Sequence, residues 1–413
     1  MKKRYDIATV VALMLVACVT TFVFTYLFVT ADLRDQFAEA GELRNEFQQF
    51  ISVRDEIRDN YIGEQDDEGL IDGAIGGMVD ALGDPWSRFL TPAEFSAYFN
   101  QGELALQLGL EIRFDIEGRG ALVTRVHNNS PASEADIRPL DVIVAVDGVG
   151  FAEMDGFYDA VERLRGDEGE VVELSLLREG EDEREATLTR STVILSPVTS
   201  TIYTEENVGY IRIHSFNHGA FTDFQNAVDR MLRANVGGIV FDVRNNGGGM
   251  LEVMTEMLEL LLPGQRVIYI RDRDGELQSL PETLDEDTEP FAGGLPFIVL
   301  TNGQSLSAAE FFAAALQEHH RATVIGEHTM GKSLAQQQFE FGDGSALILS
   351  VSEYLTPIGQ VSLAETGGVQ PDNVIAMDAR RAAMLPNVAL EDDTQLLAAL
   401  ARMGELMGEP GGE

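Results

Sequence analysis

Cysteine is all but missing from this chain: of 413 residues, only Cys18 carries a thiol. One thiol cannot close an intramolecular disulfide, and it excludes a zinc site built on cysteines. Basic residues are short as well, with 29 lysines and arginines against 69 aspartates and glutamates and a formal charge of −40. With no cationic excess to neutralise phosphates, a nucleic-acid partner is excluded. Charge of that size keeps a soluble domain dispersed by self-repulsion and leaves the fold undecided. Histidine is scarce too, at six. His214 and His218 have a spacing a metal could use, but they stand at a strand end without a cysteine or acidic third ligand. His319 and His320 close a helix, where positive charge suits the dipole. Neither a metal nor an organic cofactor is expected.

What is present begins with apolar length. Hydrophobic residues make up 45% and charged ones 24%, ordinary for a globular protein, and the length suffices for two or three cores. Residues 7–29, "IATVVALMLVACVTTFVFTYLFV", carry no charge. As a helix they reach about 34 Å, enough to cross a hydrocarbon core of ~30 Å. Lys2, Lys3 and Arg4 precede the run, and Asp32, Asp35 and Glu39 come after it. That asymmetry puts the N-terminus in the cytoplasm and the rest outside. A signal anchor over 1–30 is the expectation. A cleaved signal and a lipoprotein signal ("LVAC", 15–18) are the alternatives, and all three imply export.

Four further regions make up the rest. Residues 31–100 read as helical, with Leu70, Ile71, Ile75, Met78, Val79 and Leu82 spaced as one apolar face. They are expected to be structural, a collar suited to self-association. Residues 101–190 turn to short β-rich runs parted by Gly, Pro, Asn and Asp. Within them "VHNNSPASEADIRPLDVIVAVDGV" resembles the PDZ pattern, and Leu108, Gly109 and Leu110 stand where such domains bind a peptide carboxylate. The usual glycine before Asp141 is Leu140, which puts that turn in question. Residues 191–390 alternate strand and helix, implying a mostly parallel sheet covered by helices. Residues 282–292 form an acidic loop, and 391–413 a helix with a loose tail.

That alternation brings polar loops together. Right-handed crossovers place parallel strands side by side with their carboxyl ends on one edge. "FIVLT" ends at Thr301 and leads to Ser307; a helix over 308–319 climbs away, and the strand 322–327 delivers Lys332 to the same edge. "RNNGGG", residues 244–249, opens there after "IVFDV". Ligands bind open α/β sheets at such an edge. A serine hydroxyl becomes a nucleophile when a base takes its proton, and a lysine is that base only when burial keeps it neutral. Met330 and Leu334 are the walls expected around the amine. The N–H of Ala308, at a helix start, and the glycines 247–249 are candidate oxyanion donors. Singly, each signal has an ordinary explanation: a helix cap, a solvated lysine, a flexible turn.

The stretch "SLSAAEFFAAALQEHHRATVIGEHTMGKSLAQ" resembles the C-terminal processing, or tail-specific, serine peptidases. "FDVRNNGGGML" and "NYIGEQDDEGLIDGAIGGMVDALGDPWSRFL" resemble further motifs of that family. The resemblance implies an α/β fold, a ClpP/crotonase-like parallel-sheet core carrying an inserted PDZ domain. It makes Ser307 the nucleophile, Lys332 the general base and Gln336 the residue that positions the lysine. Gly248, with Gly247 second, supplies an oxyanion donor beside Ala308. Ser305, farther from the lysine in sequence, is the competing nucleophile. Substrates would be proteins with exposed C-terminal tails, which the PDZ domain recognises while gating activity. An activator or adaptor and a homo-oligomer are the other partners in view. The location implied is a bacterial inner membrane crossed once, with the catalytic part in the periplasm. Departures are Ser333 in place of glycine, Ala309 in place of a second serine, and Gln360 where many relatives have arginine. Only the last bears on substrate handling. Two rivals remain: a silent PDZ scaffold binding C-terminal peptides, and another acyl-transfer enzyme on a similar core.

Overall fold

The computed structural model describes residues 47–408, apart from 116, 128, 155, 194–195, 282–293 and 386–387. It adds Met14, Ala17, Thr20, Thr21, Phe22, Phe24 and Thr25, all helical. Most of the expected anchor, the acidic loop and the end of the tail therefore lie outside the described residues. Among those described, no helix is long and apolar enough to cross a membrane.

The chain divides into two units, Met1–Gly77 and Met78–Glu413. In the first, the helix Gln48–Asn60 buries no residue, and Phe50, Ile51, Val53, Tyr61 and Ile62 are all exposed.

The second unit is built on three sheets. The largest core surrounds a six-stranded sheet. Its order is Asn373–Val374, Ala322–Gly326, Phe297–Thr301, Gly238–Asp242, Val208–Ile213, Val198–Tyr203, and only the last strand runs antiparallel. Both faces are covered, which is why these strands are apolar at nearly every position. Ile239, Phe241, Phe297 and Val299 face the helices Ala220–Arg233, Leu251–Leu261 and Ala308–Glu318. Val240, Ile298 and Leu300 face Leu396, Ala399, Leu400 and Met403 of the helix Thr394–Gly408. The helix Ala308–Glu318 is buried from Ala308 to Leu316, as expected of a segment apolar all round.

A five-stranded antiparallel sheet stands beside this core. Its central strand Ala346–Leu355 pairs with Leu334–Glu340, Ile268–Asp272 and Arg88–Leu90. The strand Arg88–Leu90 corrects the reading of 31–100 as wholly helical; its partner, Ala346–Ile348, is non-local, and no local pattern announces it.

The third sheet belongs to the small β module, with strands Leu110–Phe114, Ala121–Val126, Val142–Val146, Val171–Leu177 and Arg184–Thr189, and Leu110–Phe114 at one edge. The helix Pro92–Gln107 crosses the expected boundary at residue 100 and leads straight into it. Leu140 takes φ +76°, the conformation glycine adopts freely. The turn is therefore kept, at a strain of about 1 kcal/mol. Beyond it, Asp141 is buried against the guanidinium of Arg178, which donates to both its oxygens at 2.7 and 2.8 Å.

Candidate active site

Ser307 caps the helix Ala308–Glu318 with φ +52° and ψ −121°, a conformation sparsely populated by non-glycine residues. Surrounding structure must hold it there. Its N–H donates to Glu310 Oε2 at 2.8 Å. The same oxygen accepts the N–H of Lys332, also at 2.8 Å. Glu310 Oε1 accepts the N–H of Gly331 at 2.6 Å and the hydroxyl of Thr329. One fully buried carboxylate thus fastens the serine's backbone to the lysine's loop. Burial pushes the Glu310 pKa up, against the pull of these four donors.

Glu310 was not singled out in the sequence, although Ser307-Ala-Ala-Glu310 has the spacing of a capping box, where a glutamate reaches back to the N-cap N–H. Ser305, the competing nucleophile, is fully buried. Its hydroxyl donates to the Val243 carbonyl at 2.8 Å and accepts the Asn302 N–H at 3.1 Å, a fully occupied structural role.

The amine of Lys332 lies 4.5 Å from the centroid of the Trp86 ring. Its pKa is lowered, by burial first and by Arg88 second, while Glu310 and Asp84 act the other way. Of the expected walls, Leu334 is half-buried and lines the site, but Met330 is 46% exposed. The indole lies against the amine instead. Trp86 arrives with the turn Asp84–Ser87, whose Asp84 carboxylate accepts the Trp86 N–H and the Ser87 hydroxyl. Ser87 Oγ in turn accepts the N–H of Ser350, 263 residues away, at 3.0 Å.

Ser307, Ala308, Lys332 and Gln336 line one cavity of about 220 Å³, together with Gly247 and Gly249. Its remaining walls include Leu251, Met254, Ile268 and Phe311. Gln336 donates to the Leu334 carbonyl at 2.9 Å and to Ser350 Oγ at 3.1 Å. Gly248 packs on the serine so closely that an added Cβ would sit 3.0 Å from Ser307 Cβ. The Gly248 N–H donates to Asn246 Oδ1 at 2.8 Å, and Leu306 N–H to the Asn246 carbonyl at 3.0 Å, so Asn246 ties the glycine loop to the serine loop.

Below that loop lies a buried ion cluster. Asp242 accepts from Arg212, Arg244 and Tyr210, and Arg244 also donates to Asp393 and Gln395. It anchors the start of the loop to the helix Thr394–Gly408.

In the β module, Leu108 and Leu110 are fully buried and Gly109 has φ +75°. The N–H of Gly109 donates to Ala105 at the end of the preceding helix, and its carbonyl accepts from His127.

Three segments of the chain match family profiles: residues 207–375 that of Peptidase family S41, residues 15–92 the Activating protease CtpB N-terminal domain, and residues 108–188 the PDZ domain. A carboxyl-terminal-processing protease of Synechocystis sp. is 33% identical over 308 residues, 73% of this chain and 70% of that protein. The carboxy-terminal processing protease CtpA of Bacillus subtilis is 30% identical over 81% of this chain and 70% of its own length. Among solved structures, the photosystem II D1 C-terminal processing protease superposes with a TM-score of 0.56 at 30% identity, covering 80% of this chain and 87% of that one.

Proposed function

We propose, since this chain belongs to peptidase family S41 and is a serine peptidase of the carboxyl-terminal-processing kind, that Ser307 is its nucleophile and Lys332 its general base. The supporting observation is the single carboxylate oxygen that takes both their N–H groups at 2.8 Å, beside a cavity both residues line. In the reaction, uncharged Lys332 takes the proton of Ser307 Oγ as that oxygen bonds to the scissile carbonyl carbon. The Ala308 N–H and the glycine run 247–249 receive the developing oxyanion, favoured by the helix dipole. The ammonium returns its proton to the leaving nitrogen as the C–N bond breaks. Water, deprotonated by the same amine, then opens the ester and frees Ser307. Gln336 positions the amine. In the structure the Gly248 N–H is taken by Asn246 and the Gln336 amide by Leu334 and Ser350, so the roles of both rest on the resemblance to the family.

The PDZ domain receives the substrate's tail as an added strand along the open edge Leu110–Phe114, with Leu108, Gly109 and Leu110 at its carboxylate, and so gates cleavage. Ser307→Ala and Lys332→Ala are expected each to abolish digestion of β-casein with the fold intact by circular dichroism. Full activity in either refutes the dyad, and equal rates on free and amidated tails refute the tail gate. The uncharged stretch 7–29, with its basic flank, anchors the enzyme in a membrane with the peptidase outside the cytoplasm. Carbonate extraction of cell membranes tests this, and release of the full-length chain into the soluble fraction would refute it.

A further inference from the structure

The cavity explains the serine better than it explains the lysine. A base must lose its charge before it can act, and the surroundings of Lys332 do not all push that way. Asp84 and Glu310 favour the ammonium, and Arg88 and burial oppose it. The group nearest in kind to a partner is an aromatic face, with Nζ 4.5 Å from the Trp86 centroid. A ring quadrupole attracts a cation and is indifferent to a neutral amine.

The ring is not there by accident of a loose surface. Its backbone N–H is fixed to Asp84, Ser87 is fixed to Ser350, and the adjoining strand Arg88–Leu90 is registered on Ala346–Ile348. Gln336 is tied to the same Ser350, so the turn holding the indole and the strand after the lysine share one residue.

We propose that Trp86 is a positioning residue for the base, its face holding the Lys332 amine at one end of the cavity until a substrate draws it toward the Ser307 hydroxyl. The proposal rests on the reading of Lys332 as the base. The indole has two opposed effects: its bulk keeps water off the amine, favouring the neutral form, and its π face favours the cation. Different substitutions separate them. Trp86→Leu keeps much of the apolar cover and loses the π face, so the rising limb of kcat/KM against pH moves to lower pH. Trp86→Ala admits water and moves it to higher pH. Trp86→Phe stays near the parent. Each displacement is expected to be about 0.5 to 1 in pH.

The test measures kcat/KM of the full chain on β-casein from about pH 6 to about pH 10, a range below the ordinary lysine pKa. Opposite displacements in the leucine and alanine variants support the proposal. A uniform loss of kcat with the limb unmoved overturns it, since a merely structural tryptophan lowers rate at every pH alike. A second readout needs no catalysis. Trp86 is the only tryptophan of the chain, so tryptophan emission reports its surroundings and those of no other indole. In Ser307→Ala, emission against pH should step with the charge of the amine, and in Ser307→Ala with Lys332→Met that step should vanish. The same curve with and without the lysine refutes the ring's role and leaves the dyad standing. Conversely, activity surviving Ser307→Ala removes the dyad while the emission step still reports whether ring and amine meet.

Discussion

Two cations of the second unit stand in opposite circumstances. Arg244 is fully buried, and acceptors surround it: both oxygens of Asp242, both of Asp393, and Gln395 Oε1. Burial opposes its charge, but Asp242 and Asp393 outweigh that and push its pKa well above the ordinary value. Lys332 is partly buried, faces an indole, and has its pKa lowered. The first is held charged, and the second is eased toward its neutral form. Stoichiometric acceptors make a charge permanent; burial with an aromatic neighbour leaves it negotiable.

The comparison can be broken at its permanent end first. Arg244→Met leaves Asp393 buried without its cation and Asp242 with only the side chains of Arg212 and Tyr210. The expected loss is about 3–5 kcal/mol, read as a lower urea midpoint with unchanged slope. An unmoved midpoint would mean that the cluster does not hold the helix Thr394–Gly408 in place. At the negotiable end, Glu310→Gln tests the carboxylate that fastens Ser307 to Lys332. An amide offers one acceptor oxygen and turns an N–H₂ toward backbone donors, so part of the clasp is lost. We expect kcat to fall about tenfold to hundredfold, equivalent to about 1.4–2.7 kcal/mol, with KM little changed. Parent kcat in this variant would show that the serine and lysine loops hold their places without it.

Much of the large core was legible from pattern. "FIVLT" and "ATVIG" are adjacent parallel strands paired Phe297↔Ala322, and the intervening helix runs Ala308–Glu318, within a residue of the expected span. Handedness and strand direction were enough to bring Ser307, Lys332 and the glycine loop to one edge. The antiparallel sheet was not legible in the same way. Arg88–Leu90 is three residues long and half-exposed, and its assignment depends on a partner far along the chain. Met330, the sequence neighbour expected beside the amine, is 46% exposed, and the fold brings Trp86 to the amine from far along the chain. Leu140 shows the reverse case. A residue type that argued against a turn is held in it, because the ion pair of Asp141 with Arg178 locks the chain immediately after the turn.

The antiparallel sheet borrows Arg88–Leu90 from before the β module and Ala346–Leu355 from after Lys332. A ribosome making this protein must therefore finish most of it before the strands flanking the amine can pair. Up to that moment the cavity that Ser307 and Lys332 line is incomplete. Connectivity alone thus postpones completion of the cavity until most of the polypeptide has been made.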